Sequence, residues 1–168
     1  MIPVPIETER LLIRAFEPKD RQALAALYGD PDVMRYIPYG VLDEDGLEQV
    51  LAKYVRVDEE HGFTFWAIIE RSTGLFLGDA GFGVYEETGE PEVGYSLARS
   101  AWGKGFATEA AAACLAAAFE HLDARRIVAV VDVENAPSAR VAERIGMQRQ
   151  GLIDAHGRPH ILFAKERH

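Results

Sequence analysis

Two glycines flank a lysine in Trp102-Gly103-Lys104-Gly105-Phe106, and the alanine-rich run "ATEAAAACLAAAF" follows at 107–119. A strand that runs into a glycine-rich turn and then a helix forms an anion site. The first helical N–H groups have no partner inside the helix, and the helix dipole favours negative charge there. Glycine also lets the backbone come close to phosphate oxygens. Residues 102–108 are thus a candidate phosphate cradle, and a tight turn with Lys104 in solvent is the competing reading. Two familiar cradles do not fit. A P-loop ending on Gly103-Lys104 would need Gly at 98 and Ser or Thr at 105, where the chain has Ala98 and Gly105. A dinucleotide fingerprint starting at Gly103 would need Gly or Ala at 108, which is Thr108.

A second group of polar residues, Asn135 and Ser138, opens another helix in "NAPSARVAERIGM". Asn135 is a good N-cap, Pro137 suits the first turn, and Gly146 is a C-terminal stop. Capping alone accounts for Asn135 accepting from the Ser138 N–H. The strand before this helix, "RRIVAVVDV" (125–133), is apolar on both faces, as expected of a strand inside a sheet. Residues 91–133 then read as strand, helix and parallel strand, a right-handed crossover. That order brings 102–108 and 135–138 to one carboxyl edge of the sheet, where ligands of open α/β sheets collect.

The remaining elements must hold this edge in place. "ERLLIRAF" (9–16) reads as a strand. Pro18 starts a helix that Gly29 stops, and "DPDVMRYIPYG" (30–40) is an aromatic-bearing loop. Asp45 with Glu48 resembles a capping box opening a helix to about Asp58. "FTFWAIIE" (63–70), "GLFLGDAGFGVY" (74–85) and "PEVGYSLA" (91–98) form an antiparallel meander with turns between them. "RPHILFAKE" (158–166) is the last strand. The expectation is one α/β domain over 1–168, with a mixed, mostly antiparallel sheet flanked by helices.

Composition narrows the function classes. The 168 residues are 48% hydrophobic, enough for a sizeable core. Lys and Arg number 18 against 27 Asp and Glu, a net charge of −9. Such a chain lacks the basic face a general nucleic-acid binder needs. Cys114 is the only cysteine, so no internal disulfide forms, and no Cys/His cluster has zinc spacing. The N-terminus has no basic region followed by an apolar run, and no stretch of 18 apolar residues occurs. A soluble, cytoplasmic protein without metal, nucleic-acid or membrane partners is expected. A homodimer stays open.

Taken together, "TERLLIRAF", "EVGYSLARSAWGKGFATEA" and "NAPSARVAERIGM" resemble the GCN5-related N-acetyltransferase (GNAT) superfamily, and within it the ribosomal-protein N-terminal acetyltransferase branch. The resemblance runs over about residues 8–165 in order. The superfamily pattern Gln/Arg-x-x-Gly-x-Gly/Ala falls on Trp102 to Ala107, with Trp102 in place of Gln or Arg, as is frequent in this branch. The resemblance implies acetyl-CoA as donor and a splay between strands 91–98 and 125–133 for its pantetheine arm. The arm would pair with backbone at Tyr95, Ser96 and Leu97, like an added strand. Backbone N–H groups of Gly103, Gly105, Phe106, Ala107 and Thr108, next to Trp102, would hold the pyrophosphate. Lys104 would lie near the ribose phosphate, and Asn135 would bond the pantetheine or the acetyl end. Tyr36 and Tyr39 would border the acceptor.

The implied reaction is attack of a neutral amine on the thioester carbonyl. An α-amine has a pKa of about 7.7–8.0 and a lysine about 10.4, so an α-amine demands less of the base. An N–H in 94–98 would serve the oxyanion. Ser138 is the acid candidate, because the branch uses that position to donate to the departing sulfur. Glu92 is the base candidate. By strict alternation it shares a strand face with Gly94 and Ser96, while Tyr95 faces the core. His156 and His160 are expected in the loop before the last strand, with His156 read as a solvated side chain and an alternative base. Trp66 and Cys114 read as buried and structural. A protein N-terminal amine is the first choice of acceptor. The alternatives are a small-molecule amine or a non-catalytic acyl-CoA-binding module.

Overall fold

The computed structural model describes residues 1–168. Eight strands form one sheet: β1 Ile6–Glu7, β2 Leu11–Arg14, β3 Phe65–Glu70, β4 Phe76–Tyr85, β5 Glu90–Leu97, β6 Arg126–Asp132, β7 Gln148–Ala155 and β8 Arg158–Glu166. Their spatial order is β1-β2-β3-β4-β5-β6-β8-β7. Every neighbouring pair is antiparallel except β5 and β6. Those two parallel strands share a single bridge, Glu92 with Val128, so they part toward their C-terminal ends. The splay expected between 91–98 and 125–133 is present.

Four helices cover the sheet: α1 Arg21–Tyr28, α2 Glu44–His61, α3 Phe106–His121 and α4 Ala136–Arg144. The small side chains of α3 let its backbone lie close to the strands. Ala110, Ala111, Cys114 and Ala118 are fully buried there. They join Val93, Leu97, Ile127, Ala129 and Val131 in the larger core cluster, as does Trp66, packed edge-on against Phe82. Burial pushes the Cys114 thiol up to about 12, so it stays protonated and inert. A smaller cluster of Leu24, Leu27, Tyr28, Met34 and Leu47 lies under α1 and α2.

Several expectations need correction. The strand expected over 9–16 is the four-residue β2, a short β1 precedes it without an expected counterpart, and the chain at 18 begins with a single 3-10 turn before α1. Asp43, rather than Asp45, caps α2, accepting from the Gly46 N–H at 2.8 Å. Such a cap stabilises a helix by about 1 kcal/mol. The helix runs to His61, beyond Asp58. Strand β7 has no counterpart among the expected elements. It lies at the sheet edge, and much of it is exposed and polar, so it lacks the apolar alternation that marks a strand. No helix is long and apolar enough to cross a membrane.

Candidate active site

The glycine loop and the start of α4 meet at the carboxyl edge of β5 and β6, as the crossover requires. A 3-10 turn at Arg99–Ala101 leads from β5 into the loop. Gly103 and Gly105 have φ of +73° and +80°, which a residue with a Cβ adopts only at a cost. Gly105 is the N-cap of α3. The backbone N–H groups of residues 103 to 108 have no acceptor within the protein, and the first inward bond is Glu109 N–H to Gly105 O. Six successive free donors at a helix N-terminus suit a pyrophosphate, which accepts several hydrogen bonds from backbone at once. Lys104 makes no ion pair.

A residue that no sequence motif singles out braces this loop. Arg10, beside β2, pairs with Glu109 through Nε at 2.7 Å. Its Nη1 donates to the Lys104 carbonyl at 2.8 Å, and its guanidinium lies 4.4 Å from the centre of the Phe106 ring. Glu109 also accepts from the Thr8 hydroxyl and the Arg10 N–H. These hydrogen bonds and the ion pair outweigh burial and hold its carboxyl below the usual range. The only signal in the sequence is that "TER" and "ATEA" both carry charges. Trp102 is half-exposed, with its indole N–H donating to the Leu97 carbonyl at 2.8 Å.

Side-chain parity along β5 divides the remaining residues between the two faces. The β4–β5 register runs without a shift from Gly78–Leu97 to Tyr85–Glu90, so alternation holds. Glu92, Gly94 and Ser96 face α2. Burial raises the Glu92 carboxyl to about 7, with Lys53 of α2 opposing the rise and Glu86 adding to it. Tyr95 lies on the opposite face, but it is not simply core. Its hydroxyl is 3.0 Å from the Ser138 carbonyl and 2.9 Å from Ser138 Oγ. A carbonyl only accepts, so the Tyr95 proton goes there and the Ser138 hydroxyl donates to the Tyr95 oxygen. Burial pushes Tyr95 up to about 12, so it remains a donor near neutrality. Asn135 accepts from the Ser138 N–H at 3.3 Å, as its capping role requires. Glu92 and Ser138 thus approach the β5–β6 gap from opposite faces of the sheet.

Tyr36 and Tyr39 lie in the α1–α2 connection over the α2 face. The Tyr36 hydroxyl donates to the Glu134 carbonyl at 3.2 Å, bridging this loop to the residues just before α4. A cavity of about 230 Å³ opens here, lined in part by Tyr36, Ile37, Asp132, Arg158 and His160. The expectation for His160 is wrong. It belongs to β8, opposite Asp132, and is buried, with Nδ1 2.9 Å from the Arg158 carbonyl. His156 does lie in the β7–β8 turn, with its ring edge-on to His160. Asp79 of β4, inside the apolar-looking run "FLGDAGFGVY", is a second residue that sequence reasoning misses. It is 2% exposed and accepts from the Tyr28 hydroxyl.

Comparison with known proteins agrees with this fold. The family model "Acetyltransferase (GNAT) domain" matches residues 10–148. The chain belongs to this family and is an acetyltransferase. It is 37% identical over 148 residues to an uncharacterized N-acetyltransferase of Bacillus subtilis, YnaD, covering 88% of this chain and 85% of the relative. It is 33% identical over 162 residues to the uncharacterized protein YkkB of the same organism, covering 95% and 94%. A GNAT-family acetyltransferase structure from Bacillus anthracis superposes with a TM-score of 0.84 at 33% identity, covering 96% of this chain and 98% of that one. Two more distant structures share the fold alone, each with a TM-score of 0.78. One is a ribosomal L7/L12 α-N-protein acetyltransferase in complex with coenzyme A, 20% identical over 98% of this chain and 97% of that one. The other is the Vibrio cholerae spermidine N-acetyltransferase with CoA and spermine, 19% identical over 95% and 97%.

Proposed function

We propose that the chain transfers the acetyl group of acetyl-CoA to a primary amine, with a protein N-terminal α-amine as the first choice of acceptor. The observation that carries this reading is the single bridge between β5 and β6, with six free backbone donors at one end of the resulting gap. The pyrophosphate would take the N–H groups of 103–108, with Trp102 and Lys104 at its side. The pantetheine would lie along Tyr95, Ser96 and Leu97 and reach Asn135. Coenzyme A in the two distant neighbours supports this donor.

The amine would approach from the α2 face, past Tyr36 and Tyr39, and attack the carbonyl. Glu92 would take up the proton lost on attack. A carboxyl near 7 suits this role, since it is ionised at working pH yet basic enough to accept. The Ser138 hydroxyl, which donates to the Tyr95 oxygen in the free protein, would turn to donate toward the departing sulfur and be reprotonated from water. A thiol with a pKa of about 8.5 leaves without strong help, so this contribution is modest.

The ribosomal-protein branch is supported by the loop Trp102 and by the distant L7/L12 neighbour. A small amine is the second reading. It is favoured by the narrow cavity beside Tyr36 and by the spermidine enzyme's shared fold. Thiol release from acetyl-CoA, screened against peptides with different N-termini, polyamines and free amino acids, separates the two. Faster turnover of one peptide N-terminus than of any small amine supports the first choice. A small amine turned over best overturns it, and no thiol release above background with any amine overturns the donor assignment.

A further inference from the structure

We propose that His160 binds the acceptor: its Nε2, together with the free guanidinium edge of Arg158, holds a peptide group a few residues behind the reacting amine. This deepens, and rests on, the amine-acetyltransferase reading.

The cavity beside Tyr36 is walled in part by a buried, half-satisfied imidazole. His160 is 5% exposed and lines this space. Its Nδ1 is 2.9 Å from the Arg158 carbonyl. A carbonyl only accepts, so Nδ1 carries the proton, and Nε2 of the neutral ring keeps its lone pair. Nε2 has no partner in the protein, yet no unpartnered side-chain nitrogen or oxygen is sealed away. The lone pair therefore opens on the cavity. Arg158 stands at the same wall. Its Nη2 lies 3.2 Å from Asp132 Oδ2 and 2.7 Å from Glu134 Oε2, which leaves Nε and Nη1 without a partner. Asp132 is engaged on both oxygens, since Oδ1 accepts from the Glu134 N–H at 2.9 Å.

The groups left unpaired are one lone pair and a set of guanidinium N–H donors. Arg35 also lines the cavity, forms no ion pair, and lies with its guanidinium 5.3 Å from the centre of the Tyr36 ring. A second ammonium on the acceptor would meet two guanidinium groups and a carboxylate already engaged. A carboxylate would suit Arg158 but bring no proton to His160. A peptide group brings both partners, an N–H for Nε2 and a carbonyl for Arg158. The volume alone would also admit a small amine, but the donors and the lone pair match the peptide group. The position fits as well. Asp132 and His160 pair across β6 and β8, so their side chains share a face. Val128, four residues before Asp132, is bridged to Glu92, so by alternation this is the Glu92 face. Four residues of strand span about 13 Å, which an extended chain covers in about four residues. An acceptor whose amine meets Glu92 reaches His160 with one of its first four peptide groups.

The test uses the full chain at pH 8, where an α-amine with a pKa of about 7.7–8.0 is largely neutral. The probes are an alanyl pentapeptide amide with a free α-amine and four analogues of it. In each analogue one backbone amide is replaced by an ester, with oxygen where the N–H was. Thiol release from acetyl-CoA gives kcat/KM for each. One analogue should fall about tenfold below the peptide, because it leaves the His160 lone pair without a donor. His160→Asn keeps a donor in the place of Nδ1 and has nothing at Nε2. It should lower kcat/KM for the peptide about tenfold and bring peptide and ester within about twofold of each other. His160→Gln places an amide oxygen near the position of Nε2 and should restore about a threefold preference for the peptide. Arg158→Met should lower kcat/KM for the peptide about tenfold without lowering that for spermidine. CoA affinity, measured by calorimetry, should stay within about twofold throughout.

Peptide and esters turned over equally by the wild type overturn the proposal, even though acetyl transfer proceeds. So do an ester penalty that survives in His160→Asn, one that fails to return in His160→Gln, and spermidine turned over faster than the peptide. Arg158 is half-exposed, so its variant remains decisive even if the His160 variants fold poorly. An unchanged ratio of peptide to spermidine turnover in Arg158→Met, or a parallel loss of CoA affinity, defeats the assignment. If no amine releases thiol, the same peptide and esters are titrated by calorimetry into the protein saturated with CoA. A His160-dependent ester penalty in binding then upholds the cavity assignment and defeats the donor reading. Its absence there overturns both.

Discussion

At the residue scale, the proposed mechanism assigns the base role to one carboxyl. Glu92 lies on β5 two residues before Gly94 and opposite Gly83, between a buried strand and α2. Burial is the main cause of its rise to about 7, and the Lys53 ammonium reduces the shift without cancelling it. A base must be ionised to act, so kcat/KM should fall tenfold per pH unit as the pH drops below about 7. Glu92→Gln should remove that limb and lower kcat by about 10²–10⁴, because the amide cannot accept the proton. The measurement is a pH–rate profile of both proteins with the best amine from the screen. An identical limb in the variant would return the base role to another group or to water. The sheet face that Glu92 takes was legible from strand parity alone. The wiring of Tyr95 to Ser138 was not, because parity tells which face a side chain takes and not which helix start meets it there.

At the element scale, the proposed anion site needs the amides of the loop to point one way. Two left-handed glycines set that direction, and Arg10 holds the loop from outside through Glu109, the Lys104 carbonyl and the Phe106 ring. Arg10→Ala removes all three contacts and leaves the glycines untouched. Acetyl-CoA affinity should fall about three- to tenfold, with the fold intact, as calorimetry and circular dichroism would report. A half-exposed ion pair alone is worth less than about 1 kcal/mol, so a larger loss would mark the ring contact and carbonyl bond as the main braces. Gly105→Val should cost more, since a β-branched residue resists φ of +80°. The glycine loop, α3, α4 and the β3–β5 meander could be read from sequence because each has a local signal: turn residues, a cap or an apolar run. Arg10 and Glu109 are 99 positions apart, and no local pattern links them. The edge strand β7 was hidden for a different reason, since exposed polar strands resemble loops.

At the scale of the whole molecule, the buried Asp79 sets a cost on stability that depends on pH. Its folded value is raised from 3.8 to about 7, mainly by burial, against the opposing pull of Tyr28 and of the Ser96 backbone. Between those two values the folded chain binds a proton that the unfolded chain has released. The stability tied to this group is therefore fully present below about pH 3.8 and is lost as pH rises through about 7. Asp79→Asn removes this dependence. The variant's stability relative to wild type should climb by a few kcal/mol between about pH 4 and 7 and then level off. Glu92, also raised to about 7, carries the same sign, but it is present in both proteins and cancels in the comparison. Asp20, buried and paired with Arg14, and Asp30, paired with Arg99, are held below their usual range and stay with both proteins in the comparison. Urea titrations of the two proteins at several pH values measure the difference directly. A flat difference across that range would mean that Asp79 is ionised in the fold throughout. A gain confined to high pH is the sign expected of a charge held in the core at the expense of the fold.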